Sequence, residues 1–255
     1  MAGNWKMNKT RDDAFDFAQH FKEIYKENDN VDVVICSPAT SIYRLSQELK
    51  DTNIAVGAQN MHSADSGTFT GEISADMLMA AGATYVILGH SDRRQKFGEN
   101  NDIVNKKLLK AIGKGLTPIF CCGESLEKRQ SGRTEEKLRR QIIMGFYGVT
   151  AEEAKKVIIA YEPVWAISKG VVLKDGNSLV ATPEVANEAC KLVRNIVKEM
   201  YGDDVAENIT ILYGGSMASD NSAELLAQPD IDGGLIGGAS LNPEEFANTI
   251  LNALK

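Results

Sequence analysis

Long apolar runs are missing from this 255-residue chain: none approaches the ~18 residues of a bilayer span, and nothing in it resembles a secretory signal. Cysteine is scarce as well. Cys36, Cys121, Cys122 and Cys190 show no metal-ligand spacing and two of them are adjacent, so they read as reduced thiols in a cytosolic protein and not as a zinc site. Basic residues are in deficit, 28 Lys and Arg against 35 Asp and Glu, and the net charge of −7 speaks against nucleic acid or acidic lipid as a partner. An anionic substrate would need positive charge gathered locally. Linkers and low-complexity segments are also absent, so residues 1–255 are expected to form one cytoplasmic, enzyme-sized domain.

What is present is a regular alternation of β-rich runs and helical patterns. Short β-branched runs fall at 31–36, 54–59, 83–89, 117–122, 158–161, 209–213 and 231–236. Between them lie amphipathic or capped segments, among them one from Thr10 with Ala14, Phe17, Ala18 and Phe21 on one face, one over 101–114, and one over 183–201 with Thr182 as N-cap and Pro183 at its first position. Thr150 and Glu153 have the spacing of a capping box. The opening Met1-Ala2-Gly3-Asn4 leaves little room for a first strand. Parallel neighbours need crossover helices, and eight such units in 255 residues match a closed (β/α)8 barrel, with an open doubly wound sheet as the alternative.

The chemistry collects at the strand ends. In Ile158-Ile159-Ala160-Tyr161-Glu162-Pro163 a buried-type run ends in a carboxylate and is stopped by proline, which places Glu162 on the rim where barrels carry their active sites. Taken singly, a Glu at a strand end is usually solvated. Asn4 and Lys6 follow the vestigial first strand and, as alternate residues, share a face. His90 follows the fourth run at the start of a helix, where a neutral imidazole is favoured over imidazolium. Gly214-Gly215-Ser216 and Gly237-Gly238-Ala239-Ser240 follow the last two strands, where barrels of this kind build phosphate cradles. A base, a neutral electrophile, a lysine and a phosphate clamp suit proton abstraction beside a carbonyl in a small phosphorylated substrate, a reaction that needs no metal or cofactor.

Assembled in this order, the motifs resemble the triosephosphate isomerase family over essentially the whole chain. Those that carry the resemblance are Gly3-Asn4-Trp5-Lys6-Met7-Asn8, Gly57-Ala58-Gln59-Asn60, Gly89-His90-Ser91, Cys122-Gly123-Glu124, Ala160-Tyr161-Glu162-Pro163-Val164-Trp165, Tyr213-Gly214-Gly215-Ser216 and Gly237-Gly238-Ala239-Ser240-Leu241. The resemblance implies Glu162 as carbon base, His90 as electrophile, and Lys6 and Asn4 as electrostatic stabilisers, with Asp92 and Glu124 in support; a glutamate base paired with a neutral histidine is the familiar pattern of this family. It also implies phosphate held at Ser168, Ser216, Gly237 and Gly238, and a homodimer in which the loop over 60–72, with Thr70 and Glu72, enters the partner. The implied reaction interconverts glyceraldehyde 3-phosphate and dihydroxyacetone phosphate, a step of glycolysis and gluconeogenesis.

Three departures from the family pattern stand out. The first strand is almost missing, so a gap in the barrel is expected, and a native start upstream of Met1 with it. Asp92 stands where the family has glutamate, and its shorter side chain is expected to hold Lys6 less well. Roughly eight extra residues lengthen the loop after the sixth strand, where Ser168-Lys169-Gly170 replaces the family's tip and the stretch from Val171 to Val180 reads as a hairpin around Asp175-Gly176. These last two features also leave room for a catalytically impaired phosphate-binding or scaffold paralogue with a remodelled lid.

Overall fold

In a computed structural model, which describes residues 1–26, 28–167 and 180–254, eight parallel strands pair in chain order and close into a barrel. They are β1 (Ala2–Asn4), β2 (Val34–Ser37), β3 (Ala55–Ala58), β4 (Tyr85–Leu88), β5 (Thr117–Cys122), β6 (Ile158–Tyr161), β7 (Thr210–Tyr213) and β8 (Gly233–Ile236). The helices outside are α1 (Arg11–Ile24), α2 (Ala39–Glu48), α3 (Ala75–Ala80), α4 (Ser91–Lys96), α5 (Asn101–Lys114), α6 (Leu126–Gln130), α7 (Thr134–Gly145), α8 (Ala151–Ala154), α9 (Pro183–Tyr201), α10 (Asp203–Asn208), α11 (Ser222–Leu226) and α12 (Pro243–Asn252). Among the described residues no helix is long and apolar enough to cross a membrane.

The expected gap at β1 does not occur. Parallel pairing needs only backbone groups, and three residues suffice: Ala2, Gly3 and Asn4 pair with Val34, Ile35 and Cys36 on one side, while Ala2 and Gly3 pair with Leu235 and Ile236 on the other. Trp5 extends the contact, its N–H donating to Cys36 O at 3.1 Å and its buried indole N–H to Ser240 O at 2.9 Å.

The strand period of two sorts side chains between two cores. Ala2, Val34, Cys36, Ile87, Ile119, Cys121, Ala160, Leu212 and Leu235 fill the barrel, while their neighbours such as Ile35, Val86, Phe120, Ile159 and Tyr161 pack under the helices. The capping signals act as the sequence indicates: Thr10 and Thr150 each close a capping box, and Thr182 caps α9 with Pro183 at its start. Two short helices, α6 and α10, escape the sequence reading. Both are charged and too brief to show an apolar stripe, and α10 restarts at once after Gly202 ends α9.

Candidate active site

The alternation that fills the barrel also aims the site. Glu162 follows Ala160 by two residues and Asn4 follows Ala2 by two, so both point to the barrel axis at its C-terminal mouth. His90 would by the same count follow Leu88 outward. Gly89 breaks the count: its φ of +67° is a left-handed value, and a Cβ there would lie 2.8 Å from Arg94 and 2.9 Å from Val104, so glycine alone fits the turn that brings His90 inward. Lys6 also has a left-handed φ of 51°, a strained value for a lysine, held by its N–H donating to Asn4 Oδ1 at 3.1 Å.

These four residues line one cavity of about 720 Å³ together with Gly214, Gly215, Ser216, Gly237 and Gly238. Glu162 is 2% exposed and carries two hydrogen bonds: Oε2 accepts the Ser91 N–H at 3.0 Å and Oε1 lies 2.8 Å from His90 Nε2. His90 caps α4, and its Nδ1 accepts the Asp92 N–H at 3.0 Å. A ring nitrogen that accepts an N–H has no proton of its own, which assigns the donor N–H to Nε2, facing Glu162; Nδ1 also lies 3.4 Å from Asp92 Oδ2. Burial pushes the Glu162 carboxyl up, but His90, the Ser91 N–H and the Lys6 charge outweigh it and hold the group below the ordinary glutamate range. Gly214 gives the base its room, since a Cβ there would stand 2.9 Å from Glu162 Cγ.

Asp92, although a methylene shorter than the family's glutamate, still reaches Lys6: Oδ2 lies 3.3 Å from Nζ, while Oδ1 accepts from Lys96 Nζ at 3.1 Å. Burial opposes ionisation of Asp92, yet Lys96 and Lys6 hold its carboxyl below the usual aspartate range. Asp92 sits in the first turn of α4, directly beside His90.

Glu124 does not line the cavity. It is fully buried behind β6, where its carboxylate accepts from Tyr161 Oη at 3.1 Å and Trp165 Nε1 at 2.9 Å, with Arg129 stacked on the Trp165 ring at 4.7 Å. It therefore fixes the segment leading out of Glu162. Ser216 lines the cavity, but its N–H and Oγ both donate to Ala166 O, at 3.0 and 3.1 Å. Gly238 is open, since a Cβ there would meet nothing within 4 Å, and one at Gly237 would meet only Lys6 Cε at 3.9 Å. Thr70 and Glu72 are exposed, far along the chain from the cavity residues. Ser168 and the expected hairpin over 171–179 lie outside the described residues.

Two contributors went unread. The Ser91 N–H holds the base, and Lys96 shares Asp92 with Lys6. Ser91 is visible in the Gly89-His90-Ser91 string, but a backbone donor leaves no side-chain signature; Lys96, four residues after Asp92 on a helix, does have the i, i+4 spacing of an ion pair.

A family model described as triosephosphate isomerase matches residues 1–253. The chain belongs to the triosephosphate isomerase family. The triosephosphate isomerase of Carboxydothermus hydrogenoformans is 44% identical over 254 residues, covering 100% of this chain and 98% of that one. That of Acetivibrio thermocellus is 48% identical over 245 residues, covering 96% and 94%, and that of Dictyoglomus turgidum 47% identical over 246 residues, covering 96% of each. Full-length agreement of this kind makes the isomerase the family's reading for this chain and gives no support to an impaired paralogue.

Proposed function

We propose that this chain, as one catalytic domain over 1–255, interconverts D-glyceraldehyde 3-phosphate and dihydroxyacetone phosphate through an enediolate. The observation that carries the reading is His90 set between the Asp92 N–H and the Glu162 carboxylate, at the mouth of a cavity that also holds Lys6 and Asn4. Glu162 takes the proton from one carbon and returns it to the neighbouring carbon. His90 Nε2–H polarises the carbonyl and moves protons between the oxygens, while the Lys6 ammonium and the Asn4 amide stabilise the charge that forms there. Gly237 and Gly238 offer room for backbone donors against the phosphate, with Ser168 and Ser216 as further donors; the Ser216 N–H would first have to leave Ala166 O. Asp92 keeps Lys6 in place and Glu124 holds the segment after Glu162.

The active form is a homodimer in the cytoplasm, with Thr70 and Glu72 on the loop that enters the partner. Exposed apolar side chains on the units of β1 to β4 support this: Met7, Tyr43, Met77 and Phe97 stand largely in solvent in the single chain, and Phe69 is exposed as well. A steady-state assay with glyceraldehyde 3-phosphate tests the function. Wild type is expected to turn over, and Glu162→Gln to lose about a thousandfold or more in kcat while keeping its fold. Binding of the triose phosphate without turnover by wild type would instead support a phosphate-binding scaffold.

A further inference from the structure

A second cavity, independent of the isomerase reading, opens behind Glu162 on the outer side of the same rim. It has a volume of about 260 Å³ and is lined by Arg94, Lys128 and Lys137 among others. A neighbouring cavity of about 380 Å³ shares those three residues and adds Arg133 and Arg140, so the two form one groove between α4, α6 and α7. Five cations therefore face one groove in a chain whose net charge is −7.

These cations lack close acidic partners. Among the described residues none of Arg94, Lys128, Arg133, Lys137 and Arg140 has a carboxylate in ion-pair contact, whereas Arg129 and Arg139 on the same two helices are paired with Glu124 and with Glu135 and Glu199. Arg94 spends its guanidinium on neutral oxygens, donating to Gly89 O at 2.6 Å, Asn101 Oδ1 at 2.8 Å and Cys121 O at 3.1 Å. Three carboxylates touch the groove. Glu162 is held by His90 and Ser91, Glu99 is bound by Arg93 and Lys107, and only exposed Glu136 is uncommitted. Crowding is felt at Lys137, where burial and the nearby Arg94, Arg140 and Lys128 push the ammonium below the ordinary lysine range. A solvated basic face would scatter its charges; here they converge on a concavity, which costs folding stability unless an anion occupies it.

We propose that this groove binds a small molecule carrying at least two phosphate groups, at a site separate from the catalytic cavity. The inner end of the groove is lined by Ser91 and Glu162, and Glu162 is the wall that it shares with the catalytic cavity.

The test is calorimetric titration of the full chain with inorganic pyrophosphate. Wild type is expected to bind it at least about tenfold more tightly than inorganic phosphate, and the double substitution K137Q/R140Q to weaken pyrophosphate at least about tenfold. The KM for triose phosphate in the double variant should stay as in wild type, because neither residue lines the catalytic cavity. K128Q should weaken pyrophosphate in the same direction, whereas charge-retaining K137R should not, which keeps the test decisive if the double variant melts early. Failure of wild type to bind, or equal pyrophosphate affinity in wild type, K137Q/R140Q and K128Q, would overturn the proposal. The assay of Glu162→Gln does not bear on it, so the two readings can fail separately.

Discussion

At the scale of single residues, most of the site could be read from sequence because its members stand at strand ends, where chain direction and the period of two decide where a side chain points. Glu162 is legible in this way from the run that precedes it and the proline that follows. His90 is legible as a helix-start imidazole, but its inward aim depends on the left-handed Gly89, which the alternation alone would have misassigned. Asp92 turns on reach. Counting methylenes leads to a looser hold on the lysine, while the structure brings Oδ2 within 3.3 Å of Nζ. Asp92→Glu is therefore expected to leave kcat within about threefold of wild type in the steady-state assay. A larger increase would show that Asp92 holds Lys6 in a less productive position.

At the scale of elements, α4, α5 and the loop after β3 are joined by a buried charge cluster that no local pattern announces. Glu99 accepts from Arg93 and Lys107, each at 2.5 Å, and Lys107 also donates to Asn60 at 2.8 Å. Burial pushes the Glu99 carboxyl up, but Lys107 and Arg93 outweigh it and hold it below its ordinary value of 4.5. A carboxyl depressed on folding contributes stability that is complete above its unfolded pKa and is lost as pH falls through the folded one. Urea melts from pH 7 downward should accordingly show stability falling below about pH 4.5, with Glu99→Gln flattening that limb. Glu99→Ala should cost about 3–5 kcal/mol at pH 7, because it strands Lys107 in the interior. The basic groove lies beyond sequence reading for the same reason: Arg94, Lys128 and Lys137 come from three helices whose adjacency only the closed barrel creates.

For the whole molecule, the regular alternation made the barrel legible, and the expected gap came from judging β1 by its length. A closing strand contributes backbone, and Ala2 to Asn4 supply enough of it to pair on both sides. The units of β1 to β4 carry several apolar side chains that face water, Phe69 among them at 46% exposure. Phe69→Glu places a charge on this surface and, if the proposed homodimer forms there, should give a monomer in light scattering, with a loss of activity that follows the loss of that assembly. A monomeric wild type would exclude the homodimer directly.

The two hydrogen bonds on Glu162 mean that the resting site is already occupied by itself. An arriving molecule has to win the carboxylate away from an imidazole and an amide before any carbon acid is exposed to it. Molecules that bring no acceptor for the His90 N–H leave that arrangement undisturbed. Selection against molecules without such an acceptor is thus exercised as a displacement, by the contacts that already hold the carboxylate.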